Sequence, residues 1–341
     1  MHYKSLADLL NEFHRARVLV LGDVMLDRFV YGAVERISPE APIPIMTVER
    51  VSDMPGGAAN VARNIAALGA QCTLIGVVGA DGSAEDLRGQ LDATPTINAR
   101  FIVDASRPTT VKTRYVSDRQ QMLRADRESK APVSGEASET LLSAVQQALS
   151  QTDVLVLSDY AKGVLTDDIT SKVIKMARDA GKPIIVDPKT RSLTKYSGAT
   201  VLTPNRHELQ LACGNDCKTD AQVVQGAHEF LDKGVCDAMV VTRGADGMSV
   251  IKKDTTAAHL HTMAREVFDV SGAGDTVLAV LSLGLAAGGE LIDVSRIANI
   301  AAGIVVGKPG TATVSTGEII TSIDADSRPA TSDKIFSLAR V

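Results

Sequence analysis

Tryptophan is absent from the 341 residues, and six Phe and five Tyr are the only other aromatics. So few rings leave no platform on which nucleic-acid bases stack. The formal net charge is −5 and no long basic block occurs, which also argues against a nucleic-acid partner. No run of about 18 apolar residues exists to span a membrane. Residues 1–17 form a short amphipathic segment with Leu6, Leu9, Leu10 and Phe13, but no signal-peptide core or cleavage site. Cysteine is scarce too: Cys72, Cys213, Cys217 and Cys236. Only Cys213 and Cys217 lie close, as C-x-x-x-C, with no second pair to complete a zinc site. No G-x-G-x-x-G follows the first strand-like run, so a dinucleotide oxidoreductase is disfavoured. Residues 303–309 (GIVVGKP) have the wrong spacing for a Walker loop, and Pro where Ser or Thr belongs. What remains is a soluble, reduced, cytoplasmic chain. Its 45% hydrophobic content is enough for one large core.

The chain then reads largely as alternating strands and helices. Arg17 to Gly22 (RVLVLG) is a buried strand ending at Asp23 and Asp27. Strands follow at 74–78, 153–157, 183–186, 200–202, 238–242 and 248–252, with helices at 82–91, 136–149, 166–180, 205–212 and 221–233. Such alternation predicts an α/β fold, with a mostly parallel sheet flanked by helices on both faces. Two β-rich patches, about 28–52 and 109–127, break the rhythm and are expected to form a small lid sheet within one domain over residues 1–341. From about Asp324 the chain is polar and reads as peripheral.

Polar residues recur just after strands: Asp159-Tyr160-Ala161-Lys162-Gly163, Asp187-Pro188-Lys189, Asn205 to Glu208 and Thr242 to Gly247. Singly each is a turn, but together they line the sheet edge where α/β proteins bind ligands. A further stretch, Asp269-Val270-Ser271-Gly272-Ala273-Gly274-Asp275-Thr276, leads into the apolar helix 277–287. Its small residues bare backbone N–H groups at a helix start, where an anion is welcome. Asp275 is then either an acid stabilising the helix N-terminus or a general base beside a phosphoryl-binding turn.

Gly56-Gly57-Ala58-Ala59-Asn60-Val61-Ala62 resembles the first signature of the ribokinase (PfkB) carbohydrate kinase family, and residues 269–276 resemble its second, D-T-x-G-A-G-D. Ser271 stands for the more usual Thr and keeps the hydroxyl. The resemblance implies a ribokinase-like fold and an ATP-dependent sugar kinase with Asp275 as base and Gly272, Ala273 and Gly274 as the anion hole. It places Asn205 and Glu208 at Mg²⁺, Thr242, Gly244, Gly247 and Asn299 around ATP, and Asp27, Gly56, Gly57 and Asn60 at the sugar. Asp269, Ser271 and Ser315 fall where relatives hold a monovalent cation such as K⁺. The lid implies a homodimer. Within the family, Arg36 to Pro42, Pro55 to Asn60, Ser158 to Gly163 and Asp187 to Lys189 are most similar to kinases of D-glycero-β-D-manno-heptose 7-phosphate, which make the 1,7-bisphosphate for lipopolysaccharide core. No H-x-G-H motif of a fused adenylyltransferase occurs, so the expectation is a stand-alone kinase. The sugar phosphate would need cations; Lys112, Arg114, Lys162 and Lys189 are candidates, Lys189 foremost, with Asp187 beside it. Two alternatives stay open: a kinase of another sugar or nucleoside, and a catalytically silent sugar-binding protein on the same fold.

Overall fold

The computed structural model describes residues 5–118, 120–262 and 267–327. Thirteen strands appear among them: β1 (Arg17–Gly22), β2 (Val24–Ile37), β3 (Pro44–Gly57), β4 (Gln71–Val78), β5 (Ile97–Val103), β6 (Thr110–Ser117), β7 (Gln120–Arg127), β8 (Val154–Ser158), β9 (Ile184–Asp187), β10 (Ala199–Leu202), β11 (Cys236–Thr242), β12 (Met248–Lys252) and β13 (Ala258–Leu260). Nine of them form one sheet in the order β13-β12-β11-β10-β9-β8-β1-β4-β5. Its pairings are parallel except at one edge, where β11, β12 and β13 run antiparallel. Every residue of β8 and all but the first of β1 are buried, as continuous apolar runs require when helices cover both faces. Two apolar clusters result, one on each face of the sheet.

One helix, Ala273–Ala286, is buried almost all round over residues 275–284 and packs between the helices Ala58–Ala67 and Leu291–Val305. A helix that is apolar on every side can exist in water only as such a core piece. Its position is therefore fixed by packing, and so is the turn that begins it. Among the described residues no helix is long and apolar enough to cross a membrane.

The remaining four strands make a separate sheet, β3-β2-β6-β7. It hangs directly from the large one: only Asp23 separates β1 from β2, and β3 ends at Gly57 where the Ala58–Ala67 helix begins. The lid strands run longer than expected, because 14-residue hairpin arms continue down to the sheet edge. Ile37, Ile43, Val48, Val51, Met122 and Leu123 are exposed on this small sheet and the β2–β3 turn. Strands β5 and β13 and the helices Leu291–Val305 and Thr316–Ser327 add to the expected elements. Most of the polar tail expected from Asp324 lies outside the described residues.

Candidate active site

The C-terminal ends of β1, β8, β9 and β11 converge with the start of the Ala273–Ala286 helix. Asp23, just past β1, is buried and accepts from three backbone N–H groups across the loop after β8: Tyr160 (2.8 Å), Lys162 (3.0 Å) and Val164 (3.2 Å). Burial pushes its carboxyl up, and those donors pull the other way. Asp159, also buried, accepts from the Tyr196 hydroxyl (2.6 Å), the Lys195 ammonium (2.7 Å) and the Ala161 N–H (2.7 Å). Two acids thus stake the loop down, and Ala161 is held at φ 55°, a left-handed conformation costly for a residue with a Cβ.

Gly272 caps the buried helix at φ 80°, and a Cβ there would come within 2.8 Å of the Asn60 amide nitrogen. Gly274 faces open space, with nothing within 4 Å of where its Cβ would stand. Asp275 is 3% exposed. Its Oδ2 accepts from Asn60 Nδ2 and its Oδ1 from the Tyr160 hydroxyl, both at 2.7 Å. Asn60 is steadied in turn by Asn64, whose Nδ2 donates to the Asn60 carbonyl (2.9 Å) and whose Oδ1 accepts from Thr276 (2.9 Å). Burial pushes the Asp275 carboxyl up to about 6, with the Asp27 charge adding and the two donors opposing.

On one side of Asp275 stand the expected sugar contacts. Asp27 is buried and accepts from Arg114 Nη1. A Cβ on Gly56 would lie 2.1 Å from Asp27 Oδ2, so the backbone there closes directly against the carboxylate. Lys112 pairs across the register with Asp27 of β2 and Asp126 of β7, and its ammonium is 3.9 Å from Asp126. Lys162 meets Glu128 at 2.7 Å. Burial lowers the Lys112 pKa, and the nearby Lys162 and Arg124 charges press the same way. Lys112 and Lys162 therefore form one half-buried basic cluster.

On the other side, a cavity of about 390 Å³ is lined by Thr242, Gly244, Gly247, Val267, Val270, Gly274, Val277, Asn299 and Val306. A smaller one, about 140 Å³, is lined by Tyr160, Asp187, Lys189, Asn205 and Glu208, and shares Thr242, Gly274 and Val277 with the first. Asn205 and Glu208 form a reciprocal cap of the Arg206–Cys213 helix, each bond 2.9 Å, which leaves Glu208 Oε1 to the Lys189 ammonium at 2.6 Å. Lys189 thus shares this small cavity with Asn205 and Glu208. Asp187 is driven well above the usual carboxylate range, first by burial, then by the Glu208 and Asp275 charges. Asn299 donates to the His261 carbonyl (2.6 Å). Asp269 accepts from the Ser271 N–H (2.8 Å), while the Ser315 hydroxyl turns to Glu318 (2.9 Å). A cavity of about 480 Å³ at the opposite edge of the sheet, lined by Arg17, Gln71 and Thr96 among others, gathers no comparable set of reactive groups.

Among the residues here that went unassigned in the sequence are Asn64 and, for its hydroxyl, Tyr160. Tyr160 lies 115 positions from the acid it bonds, and only folding reveals the contact.

Known proteins resemble this chain over most of its length. The bifunctional protein HldE of Caulobacter sp. (strain K31) is 49% identical over 335 residues, 98% of this chain and 68% of its own length. The HldE of Paramagnetospirillum magneticum is 46% identical over 319 residues, 94% of this chain and 65% of its own. The chain thus spans about two thirds of the length of these curated relatives. Among solved structures, Arabidopsis thaliana ribokinase complexed with ribose and ATP superposes with a TM-score of 0.72 at 20% identity, covering 90% of this chain and 98% of that one. Escherichia coli phosphofructokinase-2 in complex with potassium gives 0.75 at 20% identity, over 92% of this chain and all of that one (100%). Residues 15–317 match the pfkB family carbohydrate kinases, and the chain belongs to that family of phosphotransferases, whose acceptor is a sugar hydroxyl.

Proposed function

We propose that the chain transfers the γ-phosphoryl group of ATP to O1 of D-glycero-β-D-manno-heptose 7-phosphate, forming the 1,7-bisphosphate. One observation carries the chemistry: a buried carboxylate, Asp275, follows directly on Gly274, whose Cβ position is open, and lies close enough to Asp27 to feel its charge. With its pKa near 6, Asp275 is ionised at neutral pH yet basic enough to take a hydroxyl proton. First-turn N–H groups around Gly272, Ala273 and Gly274 lack helical partners and suit the charge on the moving phosphoryl. The larger cavity, apolar along Val267, Val270, Val277 and Val306, suits an adenine nucleoside, with Thr242, Gly244 and Gly247 toward its phosphates. On the sugar side, Lys112 and Lys162 are the cations best placed for a remote phosphate, beyond the Asp27–Arg114 pair.

Asn205 and Glu208 fit Mg²⁺, because Glu208 already takes a cation, the Lys189 ammonium, at its free oxygen. Among the described residues no group of three or more His, Cys, Asp or Glu is set to cage a metal, which suits an ion that keeps most of its waters. Bound there, Mg²⁺ would neutralise charge on the phosphates. For a monovalent cation, Asp269, Ser271 and Ser315 remain the proposed residues. The exposed apolar side chains of the small sheet and its turn support pairing of two copies through the lid, which the mass of the particle in solution tests.

The substrate is tested by ADP release from Mg-ATP with a panel of phosphorylated and neutral sugars. Heptose 7-phosphate is expected to give the highest kcat/KM. A higher value for any other sugar overturns the heptose reading while leaving the kinase intact.

A further inference from the structure

We infer that Tyr160 is a positioning residue for Asp275, holding the base ionised and turned toward its substrate from a loop anchored through Asp23 and Asp159. The inference rests on the reading of Asp275 as base. The observation beneath it is a bond between residues 115 apart: the Tyr160 hydroxyl donates to Asp275 Oδ1 at 2.7 Å.

Three features make this more than a filled hydrogen bond. First, the Tyr160 backbone is fixed by groups that do not bond to Asp275. Its N–H and those of Lys162 and Val164 all donate to Asp23, while Asp159 is clamped by Tyr196 and Lys195. The strained φ of Ala161 persists under those constraints. Second, the phenol is a dependable donor. Burial and the negative charges of Asp275, Asp187 and Asp27 drive its pKa well above the ordinary value, so it stays protonated while Asp275 titrates. Third, the base needs help. Its surroundings are a neutral amide, Asn60, on one oxygen, this phenol on the other, and the carboxylate of Asp27, a like charge that adds to burial in disfavouring its ionised form. No cation bonds to Asp275 among the described residues, so two neutral donors carry the task of keeping it anionic.

The proton account is simple. The sugar hydroxyl proton passes to Asp275, the sugar oxygen forms the new bond to γ-phosphorus, and the bond from that phosphorus to the bridging oxygen of ADP breaks. Tyr160 keeps its proton throughout. Each carboxylate oxygen has two lone-pair sites, so the one occupied by Tyr160 or Asn60 leaves another free to receive the proton.

The test uses the full chain and two replacements of opposite sign. Tyr160→Phe removes the donor and keeps the ring; 3,5-difluorotyrosine at 160 strengthens it. A hydrogen bond to a charged group corresponds to about one pH unit or more. The acid limb of kcat/KM for heptose 7-phosphate with Mg-ATP should therefore rise by about one unit in Tyr160→Phe. That is roughly a fivefold loss at pH 6, shrinking to almost none by pH 8.5. The fluorinated chain should shift the limb down. The same shifts should appear without substrate in the ¹³Cγ carboxyl titration of Asp275, identified by its loss in Asp275→Asn. If the rate falls equally at every pH and the carboxyl titrates unmoved in both replacements, Tyr160 merely packs and the inference is overturned. Undiminished turnover by Asp275→Asn would instead overturn the base itself, so the two failures are told apart.

Discussion

The two ends of this site are charged in opposite ways. Around Asp275 a bare carboxylate is held by neutral donors, Asn60 and Tyr160, and by the packing of a fully buried helix. Around the expected phosphate positions, cations and acids already neutralise one another: Lys189 with Glu208, Lys162 with Glu128, Arg114 with Asp27. The Asp275 end is therefore finished before any ligand arrives. The cation end is provisional, since an arriving phosphate or metal has to take over partners that are presently satisfied. At the Asp275 end burial raises basicity and the two neutral donors temper it; the ion-paired end stores binding groups without leaving a charge buried alone.

Removing the charge from the finished end gives the largest effect. Asp275→Asn should cut kcat by at least about 10²-fold with ATP binding nearly intact. It should also stabilise the fold. The folded carboxyl binds its proton more tightly than the unfolded one, so the ionised form costs stability once pH has risen through about 6. The amide introduced by the substitution can satisfy both neighbours, because its oxygen still accepts from Asn60 and the Tyr160 hydroxyl can turn to accept from its NH₂ group. The gain, about 1–3 kcal/mol at pH 7, should shrink as pH falls toward 4. Thermal denaturation at both pH values checks the sign, and a variant less stable at pH 7 than wild type would mean the cradle is not neutral.

Next comes the provisional end on the sugar side. Lys162→Met keeps most of the stem and loses the charge, so kcat/KM for heptose 7-phosphate should drop about 10- to 100-fold. Turnover of unphosphorylated heptose should hardly change. Equal losses on both sugars would remove Lys162 from the sugar-phosphate cluster.

Smaller effects are expected at the Lys189–Glu208 pair. Lys189→Met should lower kcat/KM about tenfold, and alike for phosphorylated and neutral sugars, since its partner lies with Asn205 and Thr242. Glu208→Gln should raise the Mg²⁺ needed for half-maximal rate severalfold while keeping the helix cap, because Gln still accepts from the Asn205 N–H. Superimposable Mg²⁺ titrations would reduce Glu208 to a capping residue.

The same contrast explains what the sequence disclosed. Runs such as 17–22 and 153–157 announce buried parallel strands, and the small residues 272–274 before an apolar run announce the turn that opens the buried helix, because both depend on local residue order. The lengths of the lid strands were less legible: residues 49–57 alternate poorly, and their pairing with β2 decides the matter. Strand β5, with an irregular burial pattern, forms because β4 offers it a parallel edge. The preference for Lys189 as a sugar-phosphate ligand came from its place after a strand. Its engagement with Glu208 depends on two loops meeting, which no spacing encodes. Tyr160 and Asp275 met the same limit.

The closeness of Gly56 to Asp27 has a consequence for how such a chain can diverge. A side chain at 56 would occupy the volume of the Asp27 carboxylate, 2.1 Å from its Oδ2. Asp27 in turn holds Arg114 across the neighbouring strand. A single step at any of these three positions leaves a clash or an orphaned charge. Descendants that take a different sugar are thus expected to change positions 27, 56 and 114 in concert, and lineages that keep one of the three to keep all of them.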